Sequence, residues 1–260
     1  MDALALLRLQ VEWGADEALD VDPVDRLMPV AAIADKPPSR PAIAPPALRE
    51  ARPSAVSALS PAERALAAAG QAETIDALGA AISAFDGCPL RHMATNTVLA
   101  AGDPSSGLLI VGEAPGADED REGAPFKGLE GELLDRMLGS IGLDRHGLLL
   151  APLIPWRPPG GRPPNAGELA VCLPFLHRLI ALADPRRMVI LGGLAARALL
   201  KTPAGRRNPR PVWTECALPG SRKPIPAVAL PGLAMLLKNP LLRRDAWAGV
   251  RLLRKTLDSE

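Results

Sequence analysis

Cysteine is scarce in this sequence: Cys88, Cys172 and Cys216 are the only three among 260 residues. An odd number at wide separations excludes the disulfide framework that staples small secreted domains. No uninterrupted apolar run reaches the roughly 20 residues of a membrane-spanning helix, so no membrane contact is expected. The start, Met1-Asp2 leading into an acidic amphipathic stretch, lacks the basic-then-apolar pattern of a secretory signal. Internal repeats are also missing. These absences predict a cytoplasmic protein.

Net charge is nearly absent too, at +1, but the balance hides an asymmetry. Residues 1–150 carry 12 Lys and Arg against 23 Asp and Glu, a net of −11; residues 151–260 carry 18 against 6, a net of +12. A basic half is what a phosphate backbone would meet, since each neutralised phosphate releases counterions. The alternative is a solvated surface attracted to its own acidic half.

Two domains of unequal character are expected. Residues 1–60 read as a short amphipathic helix, with Leu4, Leu7 and Trp13, followed by a linker rich in proline and alanine. This arm is a solubilising tail or a docking segment for a protein partner. Residues 61–260 read as the folded domain, beginning with a helix capped by Ser60 with Glu63 three residues on. Apolar runs at 108–111, 148–154, 188–191 and 228–230 predict buried strands, and helical periodicity fills the segments between them. That alternation predicts an α/β fold: a three-layer α/β/α sandwich with a mostly parallel central sheet. A monomer is expected.

The domain is organised around residues 107–143. The run Leu108-Leu109-Ile110-Val111 ends in Gly112-Glu113-Ala114-Pro115-Gly116, a turn that lets backbone approach a ligand closely and carries one acid. Phe126 follows in Pro125-Phe126-Lys127-Gly128, an aromatic on a glycine-bounded loop where core packing is not expected. Further on, Pro155-Trp156-Arg157-Pro158-Pro159-Gly160-Gly161-Arg162 makes a stiff loop holding two guanidiniums.

Residues 112–128 resemble the iron–sulfur, family 4-like class of the uracil-DNA glycosylase superfamily, whose first motif is similar to G-E-A-P-G-x-x-E-D followed by G-x-P-F-x-G. Weaker similarity runs to about Leu253. The resemblance implies a uracil-DNA glycosylase-like fold and a role in base excision repair. It makes Glu113 the catalytic carboxylate and Phe126 the ring that stacks on an extruded base, with Gly112, Ala114, Pro115 and Gly116 completing the substrate pocket. DNA is the implied partner, with Arg157, Arg162, Lys238, Arg243 and Arg244 as candidate phosphate contacts.

This chain departs from the pattern at four places. The family's base-reading asparagine falls at Pro152, which offers no side-chain donor and no backbone N–H. Its histidine falls at Gly232. The four cysteines of the cluster correspond to Phe85, Cys88, Trp156 and Cys172, and two thiolates do not hold a cluster that needs four. No cofactor and no metal ligand are therefore expected, with packing in place of the metal. Two readings follow: a divergent glycosylase that hydrolyses the N-glycosidic bond of uracil or a related damaged base, or a catalytically degenerate module that binds DNA or a flipped base without turnover. A nucleotide-binding domain built on the Gly112–Gly116 turn is a third.

Overall fold

The computed structural model describes residues 59–200, 211–221 and 223–258. The expected amino-terminal helix and its linker up to residue 58 lie outside those residues.

Capping chemistry sets the first helices. α1 (Pro61–Gln71) starts where the Ser60 hydroxyl accepts the Glu63 N–H and the Glu63 carboxylate accepts the Ser60 N–H, the reciprocal box that S-P-A-E encodes. α2 (Ile75–Ala84) starts with the Thr74 hydroxyl accepting from the Ala77 N–H. Then come β1 (Ala101–Gly102), β2 (Leu108–Val111), α3 (Ala117–Glu122), α4 (Gly128–Gly139), β3 (Leu149–Ala151), α5 (Ala166–Ala183), β4 (Arg187–Leu191), α6 (Gly193–Leu200), β5 (Thr214–Cys216), β6 (Ile225–Leu230), α7 (Leu233–Lys238) and α8 (Arg243–Leu257).

The strands form one sheet in the order β1-β3-β2-β4-β6-β5. The inner four are parallel: Ile110 pairs with Leu150 on one side and Val189 on the other, and Val189 pairs with Val228. The short edges β1 and β5 run antiparallel. Successive side chains of a strand point to opposite faces, and two cores follow. Leu109, Val111, Met188, Ile190 and Ala227 pack with α1, α2, α5 and α6. Leu108, Ile110, Val189, Leu191, Val228 and Leu230 pack with α4, α7 and α8. Each fully buried aliphatic side chain contributes about 1.5–3 kcal/mol relative to exposure, which is why the inner strands are continuous apolar runs rather than alternating ones.

α5 has 18 residues of mean hydropathy 1.5, enough by length and composition for a membrane span. Here Val171, Cys172, Phe175, Leu176, Leu179 and Ile180 are buried in the first core, so its apolar character is accounted for by packing.

The chain leaves β2 to build β3 on one side, then crosses over to build β4 on the other. This reversal opens a crevice beyond the carboxyl ends of the parallel strands, where ligands of open α/β sheets bind. Edge strands β1 and β5 and the short α7 extend the expected element list. The terminal helix starts at Arg243, after a separate turn of 3-10 helix at Pro240–Leu242.

Candidate active site

A cleft of about 750 Å³ occupies that crevice, lined by the whole Gly112–Gly116 turn together with Phe126, Pro152, Arg162 and Gly232. These residues span 121 positions of sequence, and the topology alone brings them together. Of the expected site residues, Arg157, Lys238, Arg243 and Arg244 are not in the lining.

Glu113 is held by elements far from its own turn. Its Oε1 accepts the Leu194 backbone N–H at 2.8 Å, at the start of α6, where the helix dipole favours a negative charge. The carboxylate lies in a notch that glycine makes possible. Gly192 has φ 110°, and a Cβ there would stand 2.2 Å from Glu113 Cδ; one on Gly232 would stand 3.2 Å from Glu113 Oε2. The Glu113 side chain therefore abuts the position from which a longer residue at 232 would project.

Phe126 corrects an expectation. Its ring is only 4% exposed and belongs to the core shared by α4, α7 and α8, so it is a packing residue as well as a cleft wall. Its backbone sits at φ 55°, in the left-handed region, a conformation that costs a non-glycine residue about 1–2 kcal/mol. Two groups hold it there: its N–H donates to Glu119 Oε1, and its carbonyl accepts from Arg145 Nη1 at 2.8 Å. Gly112 makes room for the ring, since a Cβ there would lie 2.9 Å from Phe126 Cζ.

Three further carboxylates reach the cleft, Glu119, Glu130 and Asp245. Glu119 also accepts the Gly116 N–H at 2.6 Å, and burial pushes its carboxyl above the ordinary range. Glu130, on α4, is pushed up by burial first, then by the charges of Glu119 and Glu113; the Ala234 N–H and Lys238 oppose this. Sequence reasoning did not single out Glu130. G-L-E-G-E reads as an ordinary polar helix start, and only the docking of α7 against α4 turns it into the cleft.

The expected phosphate contacts divide into two groups. Arg162 makes a two-pronged ion pair with the buried Glu168, at 2.9 and 2.6 Å, which ties the Pro/Gly loop to the start of α5. Arg157 points to the buried Asp120, 4.0 Å away. Both are thus partly neutralised by structural acids. Lys238, Arg243 and Arg244 are exposed, and Arg243 Nε donates to the Leu236 carbonyl at 3.3 Å.

The four cluster positions do come together in one core. Trp156 is fully buried and its Nε1–H donates to Thr97 Oγ1 at 3.0 Å. The Phe85 ring packs edge-on to Phe175, with centroids 5.2 Å apart. Cys88 and Cys172 are buried, the Cys172 thiol donating to Cys88; this lowers Cys88 to about 7 and holds Cys172 above the usual thiol range. An indole and a phenyl ring supply no ligand, so this donor set does not fit a four-thiolate cluster.

Fold and cleft define an α/β protein with a deep cleft at the switch point of a mostly parallel sheet, walled by the Glu113-bearing turn and the buried Phe126. The chain belongs to the uracil-DNA glycosylase superfamily: the family model described as "Uracil DNA glycosylase superfamily" matches residues 99–251, more than half of its length. Among curated relatives, the type-4 uracil-DNA glycosylase of Pyrobaculum aerophilum is 42% identical over 122 residues, covering 47% of this chain and 62% of the relative. Those of Archaeoglobus fulgidus and Sulfurisphaera tokodaii are 38% identical over 125 residues (48% and 63% covered) and 41% over 106 (40% and 48%). The chain therefore spans less than two-thirds of the length of these relatives.

Proposed function

We propose that this chain is a divergent uracil-DNA glycosylase-like hydrolase of base excision repair, acting on uracil or a related damaged base extruded from DNA. The observation that carries the reading is the convergence of Glu113 and Phe126 on one cleft at the carboxyl end of β2. The similarity to type-4 uracil-DNA glycosylases supports the substrate class. An extruded base stacks against Phe126 and meets the backbone of the Gly112–Gly116 turn. The C1′–N bond breaks, leaving negative charge on the base and positive charge on the sugar. Glu113, fixed by the Leu194 N–H, stabilises the sugar cation and takes the proton of the water that adds to C1′. The leaving base is protonated in turn.

Two replacements favour slow turnover. Pro152 and Gly232 both line the cleft and supply no side-chain donor to the departing base. One preorganised donor of this kind is worth about 2.7–4 kcal/mol, or roughly 10²–10³ in rate. The same replacements favour the second reading, a degenerate module that binds an extruded base without cleaving it. Phe85 and Trp156, side chains without a metal donor at two of the four ligand positions, support a protein without an iron–sulfur cluster.

The deciding experiment is base release from a panel of oligonucleotides carrying uracil and other damaged bases, with Glu113→Gln as control. Release by the wild type, abolished in the variant with DNA affinity nearly intact, is expected. If wild type and variant bind the panel alike and both release nothing, the protein is a binding module.

A further inference from the structure

A second groove, of about 280 Å³, lies between α4, α7 and α8, lined by Leu133, Arg136, Met137, Leu236, Arg243 and Trp247, with Ala246 at its base. It adjoins the main cleft across shared elements. Glu130 of α4 and Asp245 of α8 face the cleft, whereas Arg136 and Trp247 of the same helices face the groove. From Glu130 to Arg136 is six residues of helix, about 9 Å at 1.5 Å per residue. Successive nucleotides of a duplex strand rise about 3.4 Å each, so about three nucleotides match the separation of the two sites along α4.

We propose that this groove is a subsite for a flanking nucleotide of the DNA strand, its base stacked on the Trp247 indole and its phosphate met by Arg136 and Arg243. The inference rests on the DNA-directed reading above and goes beyond it, because neither the motif nor the cleft includes Trp247 or Arg136.

Three observations carry it. First, Trp247 is 40% exposed, one position beyond the face of α8 that Ala246, Gly249, Val250 and Leu253 bury. A surface indole at a concave site is a stacking platform, tolerant of sequence because every base has a π-face. Second, the other two described tryptophans each donate their Nε1–H to a threonine hydroxyl, Trp156 to Thr97 and Trp213 to Thr256, at 3.0 Å. Among the described residues no acceptor takes the N–H of the exposed Trp247, which leaves that edge of the ring to solvent or a ligand. Third, the groove's charge is basic and uncommitted. Arg136 is exposed and has no ion partner among the described residues, in contrast to Arg157 and Arg162. The bond from Arg243 Nε to the Leu236 carbonyl fixes that guanidinium at the rim, and the exposed Lys238 and Arg244 flank it. The nearby acid Asp135 is paired with Arg145.

The test uses the full chain and two probes, an oligothymidylate and a duplex with one deoxyuridine, followed by tryptophan emission and by anisotropy of labelled DNA. Wild-type emission should change on binding, and the change should vanish in Trp247→Phe. Trp247→Ala should weaken binding about 5- to 150-fold, the range set by per-base stacking. Arg136→Ala should lower the slope of log K against log salt by about one; it breaks no ion pair, so it reports on the groove even if Trp247→Ala folds poorly. Binding with unmoved Trp247 emission and an unchanged Arg136→Ala slope would overturn the subsite and leave the proposed function standing. No binding of either probe by the wild type would overturn both.

Discussion

Phe126→Ala deletes a ring that is 4% exposed within a core built from three helices and four strands. Removal of a buried phenyl ring costs about 3–5 kcal/mol through lost transfer energy and the residual cavity. The backbone at φ 55° offers no relief, because alanine resists the left-handed region as phenylalanine does; Phe126→Gly should recover about 1 kcal/mol of the loss. For a domain of this size each kcal/mol moves Tm by about 2–4 °C, so the alanine variant should melt about 6–20 °C below wild type. Thermal unfolding followed by circular dichroism, with urea titration as a check, measures this. A loss under about 1 kcal/mol would refute the ring's role in the core. The stacking role needs a gentler probe: Phe126→Leu keeps most of the apolar contact but removes the flat face. It should hold the fold while weakening affinity for a duplex with an extrudable base by about 1–3 kcal/mol.

Glu130→Gln tests the carboxylate wall. A carboxyl whose folded pKa is raised contributes stability that is complete below its unfolded pKa and lost as pH rises through the folded one; the direction at Glu130 is upward. The variant should therefore melt higher than wild type near pH 8, with the advantage fading toward about pH 4, the ordinary glutamate range; an advantage independent of pH would point to altered packing instead. Protein prepared anaerobically should be colourless and contain no stoichiometric iron or sulfide, since Phe85 and Trp156 stand at two of four ligand positions; iron and sulfide in stoichiometric amounts would overturn that.

What the sequence alone determined is everything that local chemistry controls. Four apolar runs specify the parallel strands, because a strand buried on both faces must be continuously hydrophobic. Ser60 with Glu63, and Asn165 with Glu168, specify two helix starts, because a capping box closes within four residues. The Gly112–Gly116 turn and its acid are legible as a turn at the end of a buried strand for the same reason, and it lines the cleft. The tertiary structure decided how those pieces act on one another. Glu113 takes its partner from Leu194, 81 positions away, and lies beside Gly232 only because β2, β4 and β6 are neighbours. Phe126 sits in a loop by sequence and in a core by structure, since its burial depends on Gly112 leaving room and on α4, α7 and α8 closing over it. Arg162 reads as a free cation until α5 brings Glu168 beneath it, and Glu130 as a helix-surface acid until α7 docks. Edge strands β1 and β5 are too short to leave a periodic signal and exist because the sheet offers them a partner. Local pattern has a range of one turn or one strand, whereas burial, charge pairing and pocket walls depend on contacts that the crossover topology creates.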